Sequence, residues 1–304
     1  MDIYLPIANL SVNALVIILL GGGVGLLSGM FGVGGGFLTT PLLIFYGIPP
    51  TVAAASAASQ VTGASVSGVF AHLRRDGVDL HMGIVMTVGG VLGSIAGAGV
   101  FRLLQVSGQI DTVIAVIYVI MLGSIGGLMF RESLETIRAT RGGTPIKPRK
   151  RRHHPLVAAL PLRWRFYRSG LYISPLAPLI LGFGTGMLTV LLGVGGGFVL
   201  VPAMLYLLGM TTQVVVGTSL FQILFVTAAA TMTHALTTKA VDIVLAALLL
   251  LGSVIGAQVG ARLAQRMKPE YLRFALAAIV LLVAARMLLG LAWRPDEIYT
   301  VELS

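Results

Sequence analysis

The sequence predicts an all-α polytopic membrane protein built from two repeats of five apolar segments. The chain has 304 residues, of which 56% are hydrophobic and only 11% are charged, and its mean hydropathy is +0.94. A soluble domain of this size has too small a core to bury that much apolar surface. The chain has no cysteine, which excludes disulfides, thiolate metal sites and cysteine nucleophiles.

An internal repeat is the second observation behind this fold class. The stretch FGVGGGF at residues 31–37 returns as LGVGGGF at residues 192–198, and Pro41 and Pro202 follow at the same distance. Further pairs keep the same order along the chain: Gln60 with Gln222, His72 with His234, Asp79 with Asp242, and Gly89, Gly93 and Gly97 with Gly252, Gly256 and Gly260. A duplicated unit explains this regular order.

Apolar segments recur five times in each repeat. The first five cover about 12–30, 35–46, 51–71, 82–104 and 111–130, and the second five cover about 174–192, 196–208, 213–236, 242–263 and 271–292. We therefore divide the chain into a first transmembrane repeat (1–130), a basic loop (131–173), a second transmembrane repeat (174–293) and a C-terminal tail (294–304). No basic region precedes the first segment, so it is expected to be a retained span rather than a cleaved signal peptide.

The second segment of each repeat is too short to cross a membrane alone. About 12 residues make a helix of roughly 18 Å, against a hydrocarbon core of about 30 Å. If this segment and its glycine loop count as one crossing, the repeats are inverted; if the segment only dips in and out, they are parallel. The inverted arrangement is expected, because it places more Lys and Arg on the side of the basic loop.

The net charge of +10 is concentrated in one part of the chain. Of 21 Lys and Arg residues, eleven lie between Arg131 and Arg168, and the run KPRKRRHH occupies residues 147–154. Such a run is typical of nucleic-acid patches as well as of membrane-surface loops. Beside apolar spans it predicts a cytoplasmic loop at anionic lipid headgroups, and no nucleic-acid partner.

Glycine loops precede both short segments. Irregular backbone at membrane depth persists only inside protein or beside an aqueous cavity, so three adjacent glycines before a short helix predict a broken span. The first N–H groups of that helix and the positive end of its dipole favour an anion. Close helix packing is the alternative role. The predicted substrate-binding backbone comprises Gly34, Gly35, Gly36, Phe37, Gly195, Gly196, Gly197 and Phe198.

Polar side chains inside spans are costly and are candidates for the same site. Gln60 and Gln222 occupy equivalent positions, and we expect both to line a cavity. Thr218 and Ser219 are added as substrate-binding candidates, although single hydroxyls also commonly bond to their own helix. No Lys or Arg occurs between residues 1 and 73, or between 169 and 238, so the charge of an anion would be met by helix ends and amides.

Two further pairs lie near the ends of spans. His72 and His234 are candidates for proton handling, with an ordinary interfacial histidine as the alternative. Asp79 and Asp242 precede the next segment in each repeat and are expected to be helix caps rather than ligands of a coupling ion. The glycines repeated every four residues predict close helix packing.

Enzymatic chemistry is not expected. The glycines run into Phe-Leu and Phe-Val rather than Lys-Ser/Thr, so they are not a nucleotide-binding loop. No span contains paired carboxylates or a group of metal ligands. The sequence predicts no cofactor and no metal.

Three motifs in order carry a resemblance to a known family. The duplicated GVGGGF with its proline, VGTSLFQ at 216–222 and GSVIGAQVGARLA at 252–264 resemble the TauE/SafE sulfite exporters, or TSUP-type permeases. The resemblance implies a bacterial-type inner-membrane permease for a small anion such as a sulfur oxyanion, an organosulfonate or a small carboxylate. An anion channel is the competing prediction. The first repeat departs from the pattern, with AAASAASQ at 53–60 where the second reads GTSLFQ. The transported anion, coupling ion and oligomeric state do not follow from the resemblance.

Overall fold

The computed structural model describes residues 2–31, 34–74, 76–141, 160–161, 163–264 and 269–292, and most of them are helical. The first half contains β1 (Asp2–Leu5), β2 (Leu10–Asn13), α1 (Ala14–Phe31), α2 (Gly36–Phe45), α3 (Pro50–Leu73), α4 (Leu80–Val106) and α5 (Ile110–Arg141). The second half contains β3 (Trp164–Phe166), β4 (Leu171–Ile173), α6 (Leu176–Leu192), α7 (Gly197–Tyr206), α8 (Thr212–Thr237), α9 (Ile243–Ala264) and α10 (Pro269–Ala292).

Five of the described helices, α4, α5, α8, α9 and α10, are long and apolar enough to cross a membrane. This agrees with the predicted multi-pass membrane protein. Helices α1, α2, α6 and α7 are apolar but shorter. Helix α3 has 24 residues, which is long enough to cross a membrane. It is not one of these five helices, because its serines, threonines and Gln60 lower its hydropathy.

Two β-hairpins distinguish the structure from the predicted all-α fold. Antiparallel pairing joins β1 to β2 and β3 to β4, and the second hairpin falls inside the segment that we assigned to the basic loop. Strands of three or four residues are too short for an alternating pattern to stand out in a sequence. Their buried residues, such as Leu5 and Phe166, pack on helix ends, so tertiary contacts rather than local propensity select these hairpins.

Glycine faces join the first helix of each half to the fourth helix of the other half. A Cβ on Gly21, Gly25 or Gly29 of α1 would overlap the backbone of α9 at Leu249, Ser253 and Ala257, respectively. The glycines of α4 meet α6 in the same way, at Leu179, Phe183 and Met187. Both sets of contacts advance in steps of four along both helices, so each pair runs parallel. The expected role of the glycine stripes in packing is confirmed.

Two apolar clusters mark the ends of the bundle. The first-hairpin cluster includes Leu5, Leu43, Val52 and Leu245, together with Ile17. It therefore contains the first hairpin, the beginning of α1, the end of α2 and the beginnings of α3 and α9. Because α1 begins and α2 ends in this cluster, the chain turns back on itself between these two helices.

The second-hairpin cluster has the equivalent composition. It includes Phe166, Met82, Ala177, Met204 and Val215, which belong to the second hairpin, the beginnings of α4, α6 and α8, and the end of α7. Helix α3 begins in the first-hairpin cluster, and its last turn reaches the beginning of α8. Helices α3 and α8 are antiparallel, since Ser59 bonds to Thr231 and Thr62 to Thr227.

Candidate functional site

The beginnings of the two short helices meet inside the bundle. The rings of Phe37 in α2 and Phe198 in α7 stack with their centroids 4.5 Å apart and their planes within 11°. Each side chain is only 1% exposed. Two glycine loops that are 161 residues apart in the sequence are therefore brought to one place.

Backbone donors are available at both helix starts. In α2 the first intrahelical bonds run from Leu38 and Thr39 to the carbonyl of Gly35, at 3.2 and 3.3 Å. In α7 the equivalent bonds run from Val199 and Leu200 to the carbonyl of Gly196, at 3.1 and 2.7 Å. The N–H groups of the two preceding residues in each helix, Gly36 with Phe37 and Gly197 with Phe198, lie ahead of these bonds, where the helix dipole is positive.

The two loops have similar sequences but different backbone conformations. Gly196 caps α7 with φ of 74°, whereas Gly35 caps α2 with φ of −64°. Gly34 and Gly195, at equivalent positions, have φ of 73° and 71°. A left-handed conformation therefore requires glycine at Gly34, Gly195 and Gly196, but not at Gly35.

Glycine is required at position 36 because the backbone of another segment lies close to it, and not because of a positive φ. A Cβ at this position would lie 2.7 Å from the carbonyl oxygen of Gly193 and 2.8 Å from that of Val194. The first turn of α2 thus packs directly on the backbone of the second loop. Neither Gly36 nor Gly197 has a positive φ.

Apolar side chains cover the loops. A Cβ on Gly195 would lie 2.8 Å from Val61 and 3.2 Å from Ile223, the residues that follow the two predicted glutamines. A Cβ on Gly34 would lie 3.7 Å from the same Ile223. Gly34 and Gly195 are thus packed against side chains of α3 and α8.

Gln60 contacts the first turn of α2. Its side chain is 1% exposed, and its Oε1 accepts a hydrogen bond of 2.9 Å from Thr39 Oγ1. Thr39 Oγ1 also lies 3.2 Å from the carbonyl of Gly35. The structure thus places Gln60 beside the first glycine loop, and Thr39, which we did not single out from the sequence, fixes its amide.

Gln222 lies beside the second loop but has a different partner. Its Nε2 donates to Thr185 Oγ1 in α6 at 3.3 Å, and a Cβ on Gly196 would lie 3.0 Å from Thr185 Cβ. Among the described residues, Gln222 Oε1 has no hydrogen-bond partner, although the side chain is fully buried. Thr185 was missed in the sequence; a polar residue within an apolar span was the available signal.

Thr218 and Ser219 form hydrogen bonds with groups outside the glycine loops. Thr218 Oγ1 accepts a hydrogen bond of 2.9 Å from the backbone N–H of Asp79, at the second-hairpin end of α8. Ser219 Oγ donates to the carbonyl of Val216 in its own helix at 2.9 Å. The hydroxyl of each residue is thus engaged in a bond within the protein, and their predicted role in substrate binding stays a prediction.

The two histidines have unequal surroundings. His234 is fully buried: its Nε2 lies 2.9 Å from the carbonyl oxygen of Val190 near the end of α6, and Phe101 packs edge-on against its ring. His72 is half-buried in the last turn of α3. An interfacial position, the alternative that we gave for both, does not describe His234, because its ring bonds to a carbonyl inside the bundle.

Asp79 and Asp242 are helix caps, as the sequence predicts. Asp79 Oδ1 accepts from Met82 N, and its Oδ2 accepts from the N–H and hydroxyl of Ser169 in the second hairpin, at 3.0 and 2.6 Å. Asp242 Oδ1 accepts from Leu245 N at 3.1 Å. Each carboxylate therefore holds the beginning of a helix, and Asp79 also ties α4 to a hairpin.

The end of α6 is held by two side chains that sequence reasoning missed. The carbonyl of Leu192, directly before the second glycine loop, accepts from Tyr118 Oη at 2.6 Å and from Thr40 Oγ1 at 3.0 Å. These contacts link α5 and α2 of the first half to the second loop. Tyr118 and Thr40 lie in apolar stretches of the sequence, and the second repeat has no equivalent residue at either position. The repeat therefore did not identify them.

Among the described residues, no three His, Asp or Glu side chains lie close enough together to hold a metal ion. The polar groups near the loops are backbone N–H groups, amides and hydroxyls. Such a set can bind and release an anion by hydrogen bonds.

Comparison with known proteins gives a consistent result. Residues 17–287 match the family described as sulfite exporter TauE/SafE. The chain is 30% identical over 275 residues to the probable membrane transporter protein YjnA of Bacillus subtilis, covering 90% of this chain and 98% of that protein. It is 23% identical over 281 residues to YunE of the same organism, also a probable membrane transporter protein, covering 90% and 96%. A probable membrane transporter protein of Xylella fastidiosa is 26% identical over 217 residues, covering 70% of this chain and 71% of that protein. No solved structure matches.

Proposed function

The chain belongs to the TauE/SafE family of membrane transporters, and from this premise we propose that it is a secondary transporter of a small anion. The anion binds between the beginnings of α2 and α7. The main support for this site is the stacking of Phe37 on Phe198, which brings two helix N-termini together inside an apolar bundle. Each helix start supplies roughly half a positive charge, and a low-dielectric surrounding strengthens its attraction for an anion.

The donors fit an oxyanion. The N–H groups of Gly36, Phe37, Gly197 and Phe198 precede the intrahelical bonds, and the amide of Gln60 lies beside the first loop. An oxyanion with several acceptor oxygens uses many such donors at once, without a Lys or Arg. The family description names sulfite and so supports a sulfur oxyanion; an organosulfonate is included in the proposal, and a small carboxylate is the alternative.

Burial supports a transporter rather than a channel. Phe37, Phe198 and both glutamines are at most 1% exposed, and Val61 and Ile223 pack on the glycines of the loops. An open channel would keep such donors hydrated. Burial of these side chains is what an occluded state of a transporter would require.

We infer that the two halves are inverted in the membrane. Helix α1, which the sequence predicted to be a span of its own, returns with α2 to the side of the first hairpin, so the number of crossings differs from both arrangements counted from the sequence. Helices α3, α4 and α5 cross in alternating directions. The contact of Tyr206 at the end of α7 with Glu132 in α5 supports an α5 that runs toward the second-hairpin end. Three crossings per half is an odd number, so the second half begins on the opposite face.

The basic loop between α5 and β3 is assigned to the cytoplasmic face of the inner membrane. Its Lys and Arg residues favour retention on that side and contact with anionic headgroups. Residues 142–159 of this loop lie outside the described part of the chain. The described hairpin that follows it adds Arg163, Arg165 and Arg168 on the same face.

Transport assays with purified protein in proteoliposomes test the function. The panel contains sulfite, thiosulfate, sulfoacetate, taurine and a carboxylate, each with and without a pH gradient. Saturable flux of at least one anion is expected, together with counter-transport of labelled substrate against unlabelled substrate. Non-saturating flux without counter-transport would indicate a channel, and no flux of any anion would contradict the proposal.

Binding to variants tests the position of the site. Replacing Gln60 or Gln222 by Leu removes a polar contact with the ligand beside a glycine loop, so affinity is expected to fall about ten-fold to a hundred-fold. Calorimetry on correctly folded variants measures this loss. Parental affinity in both variants would place the anion elsewhere.

A further inference from the structure

Gln222 is fully buried, and only one end of its amide is paired. Its Nε2 lies 3.3 Å from Thr185 Oγ1, while its Oε1 has no partner among the described residues. Gln60, at the equivalent position, has its Oε1 occupied by Thr39. The two equivalent glutamines therefore differ in how their amides are paired.

The bonds of Thr185 fix which end of the amide is unpaired. Its hydroxyl has one proton, and that proton is directed to the carbonyls of Leu181 and Gly182 in its own helix, at 3.0 and 2.9 Å. Thr185 Oγ1 can then only accept from Gln222, so the atom facing it must be the amide nitrogen. The group left over is a carbonyl oxygen, which requires a donor.

A second unpaired polar atom lies on the helix that faces Gln222. Thr87 Oγ1 in α4 is buried without a hydrogen-bond partner among the described residues. Gly90 is one turn further along the same face of α4, and a Cβ on Gly90 would lie 2.9 Å from Gln222 Nε2. Burying a carbonyl without a partner destabilises a fold, so a ligand that donates to Gln222 Oε1 offsets that cost.

This junction adjoins the start of α7. Thr185 connects the two places, since it bonds to Gln222 and its Cβ lies 3.0 Å from the Cβ position of Gly196, the N-cap of α7. A ligand here meets helix N–H donors on one side and a bare acceptor on the other. An anion without a hydrogen-bond donor of its own satisfies only the first side.

We propose that Gln222 forms a subsite that selects small anions carrying their own hydrogen-bond donor, with Thr185 as the positioning residue. The ligand class comprises protonated oxyanions and sulfonates or carboxylates bearing a hydroxyl or ammonium group. The anionic end binds the helix start, and the O–H or N–H donates to Gln222 Oε1. The subsite rests on the proposed anion-binding function and adds the chemical feature that it recognises.

Matched ligands test the subsite by calorimetry on the purified full-length protein. The pairs are hydroxyethanesulfonate with methoxyethanesulfonate, and glycolate with methoxyacetate; each pair differs only in a methyl group that removes the donor. In a pair that binds, the member with the hydrogen-bond donor is expected to bind about ten-fold more tightly than its methyl ether. This difference corresponds to one hydrogen bond. A site built to bond a hydroxyl rejects the analogue that lacks it.

Variants separate the subsite from a purely structural role. Gln222→Met should bring the affinity ratio of the pair close to one, whereas Gln60→Met should lower both affinities and preserve the ratio. Thr185→Val should also reduce the ratio, and Thr185→Ser, which keeps the hydroxyl, should restore it. Loss of stability alone would not change a ratio measured on folded protein.

Each alternative outcome is decisive. Equal affinities within the pairs, or a ratio that Gln222→Met leaves unchanged, would overturn the subsite while anion transport stands. A ratio that does not change in Gln222→Met is also expected if an ordered water, rather than the ligand, pairs with Gln222. If neither these ligands nor sulfite and thiosulfate bind at all, the proposed function fails and the subsite fails with it.

Discussion

Asp242 Oδ2 accepts a hydrogen bond of 3.1 Å from the backbone N–H of Ile7, a residue 235 positions earlier in the chain. The backbone N–H of Asp242 in turn donates to Ser56 Oγ at 3.2 Å. At the other end of the bundle, Asp79 bonds in the same manner to Ser169 and Thr218. Each buried aspartate thus joins a hairpin, a helix start and a helix of the opposite half.

Replacing Asp242 by Ala should strongly destabilise the protein. The change leaves the buried N–H of Leu245 and the partly buried N–H of Ile7 without their side-chain partner, and we expect the free energy of unfolding to fall by about 3 kcal/mol. Thermal unfolding in detergent measures the effect. Arg168→Ala is the control, since it breaks an exposed ion pair with Asp76 and should change stability by less than about 1 kcal/mol. Equal losses in both variants would contradict the role of the buried carboxylate.

Gly36→Ala should weaken anion binding by about ten-fold or more. The added methyl group would lie 2.7 Å from the Gly193 carbonyl oxygen, so the two helix starts must move apart. Gly184→Ala in α6 is the matched control, because nothing lies within 4 Å of its Cβ position and alanine favours a helix. Calorimetry compares the two variants. Unchanged binding in folded Gly36→Ala would separate the loop contact from the binding site.

Cysteine labelling tests the inverted topology. The chain has no cysteine, so single cysteines at Thr144, Lys268 and Thr238 can be labelled in intact cells with an impermeant maleimide. We expect Thr144 and Lys268 to be protected on the cytoplasmic face and Thr238 to react from outside. If the labels at Lys268 and Thr238 exchange sides, the halves are parallel.

The basic loop should be dispensable for binding. Its charges are separated in sequence from the glycine loops, so deletion of residues 142–154 should leave substrate affinity within a few-fold of the parent. Calorimetry on the purified deletion variant checks this, with size-exclusion chromatography as the control for assembly. A variant that assembles normally but does not bind would place the loop in the site.

Local sequence signals predicted the helices and their caps well. Asp79 and Asp242 each precede an apolar segment and cap its helix, because the capping interaction needs only residues within one turn. The glycine stripes predicted close packing for the same kind of reason. Their partners, Phe183 for Gly93 and Ile18 for Gly252, could not be predicted, since a stripe does not say which helix it meets.

Contacts between distant residues limited the prediction of the site. Thr218 and Gln222 lie one turn apart in the second repeat, so both were assigned to one site. In the structure Thr218 bonds to the Asp79 loop and Gln222 to Thr185. The element that packs beside a helix decides which of its polar side chains are already hydrogen-bonded within the protein. The hairpins escaped prediction for a similar reason.

The crossed pairing of α1 with α9 and of α4 with α6 also constrains how the protein is made. When the ribosome has completed residue 141, the glycine faces of α1 and α4 have no partner, because the backbones they contact begin near Leu179 and Leu249. The first half therefore enters the bilayer with the glycine faces of two helices unpaired. Until synthesis is nearly complete, these faces can associate with the wrong helices. Expressed alone, neither half contains the partner of its own first helix. We therefore expect the separate halves to be degraded and their co-expression to restore the bundle, so that duplication here produced one interlocked folding unit rather than two.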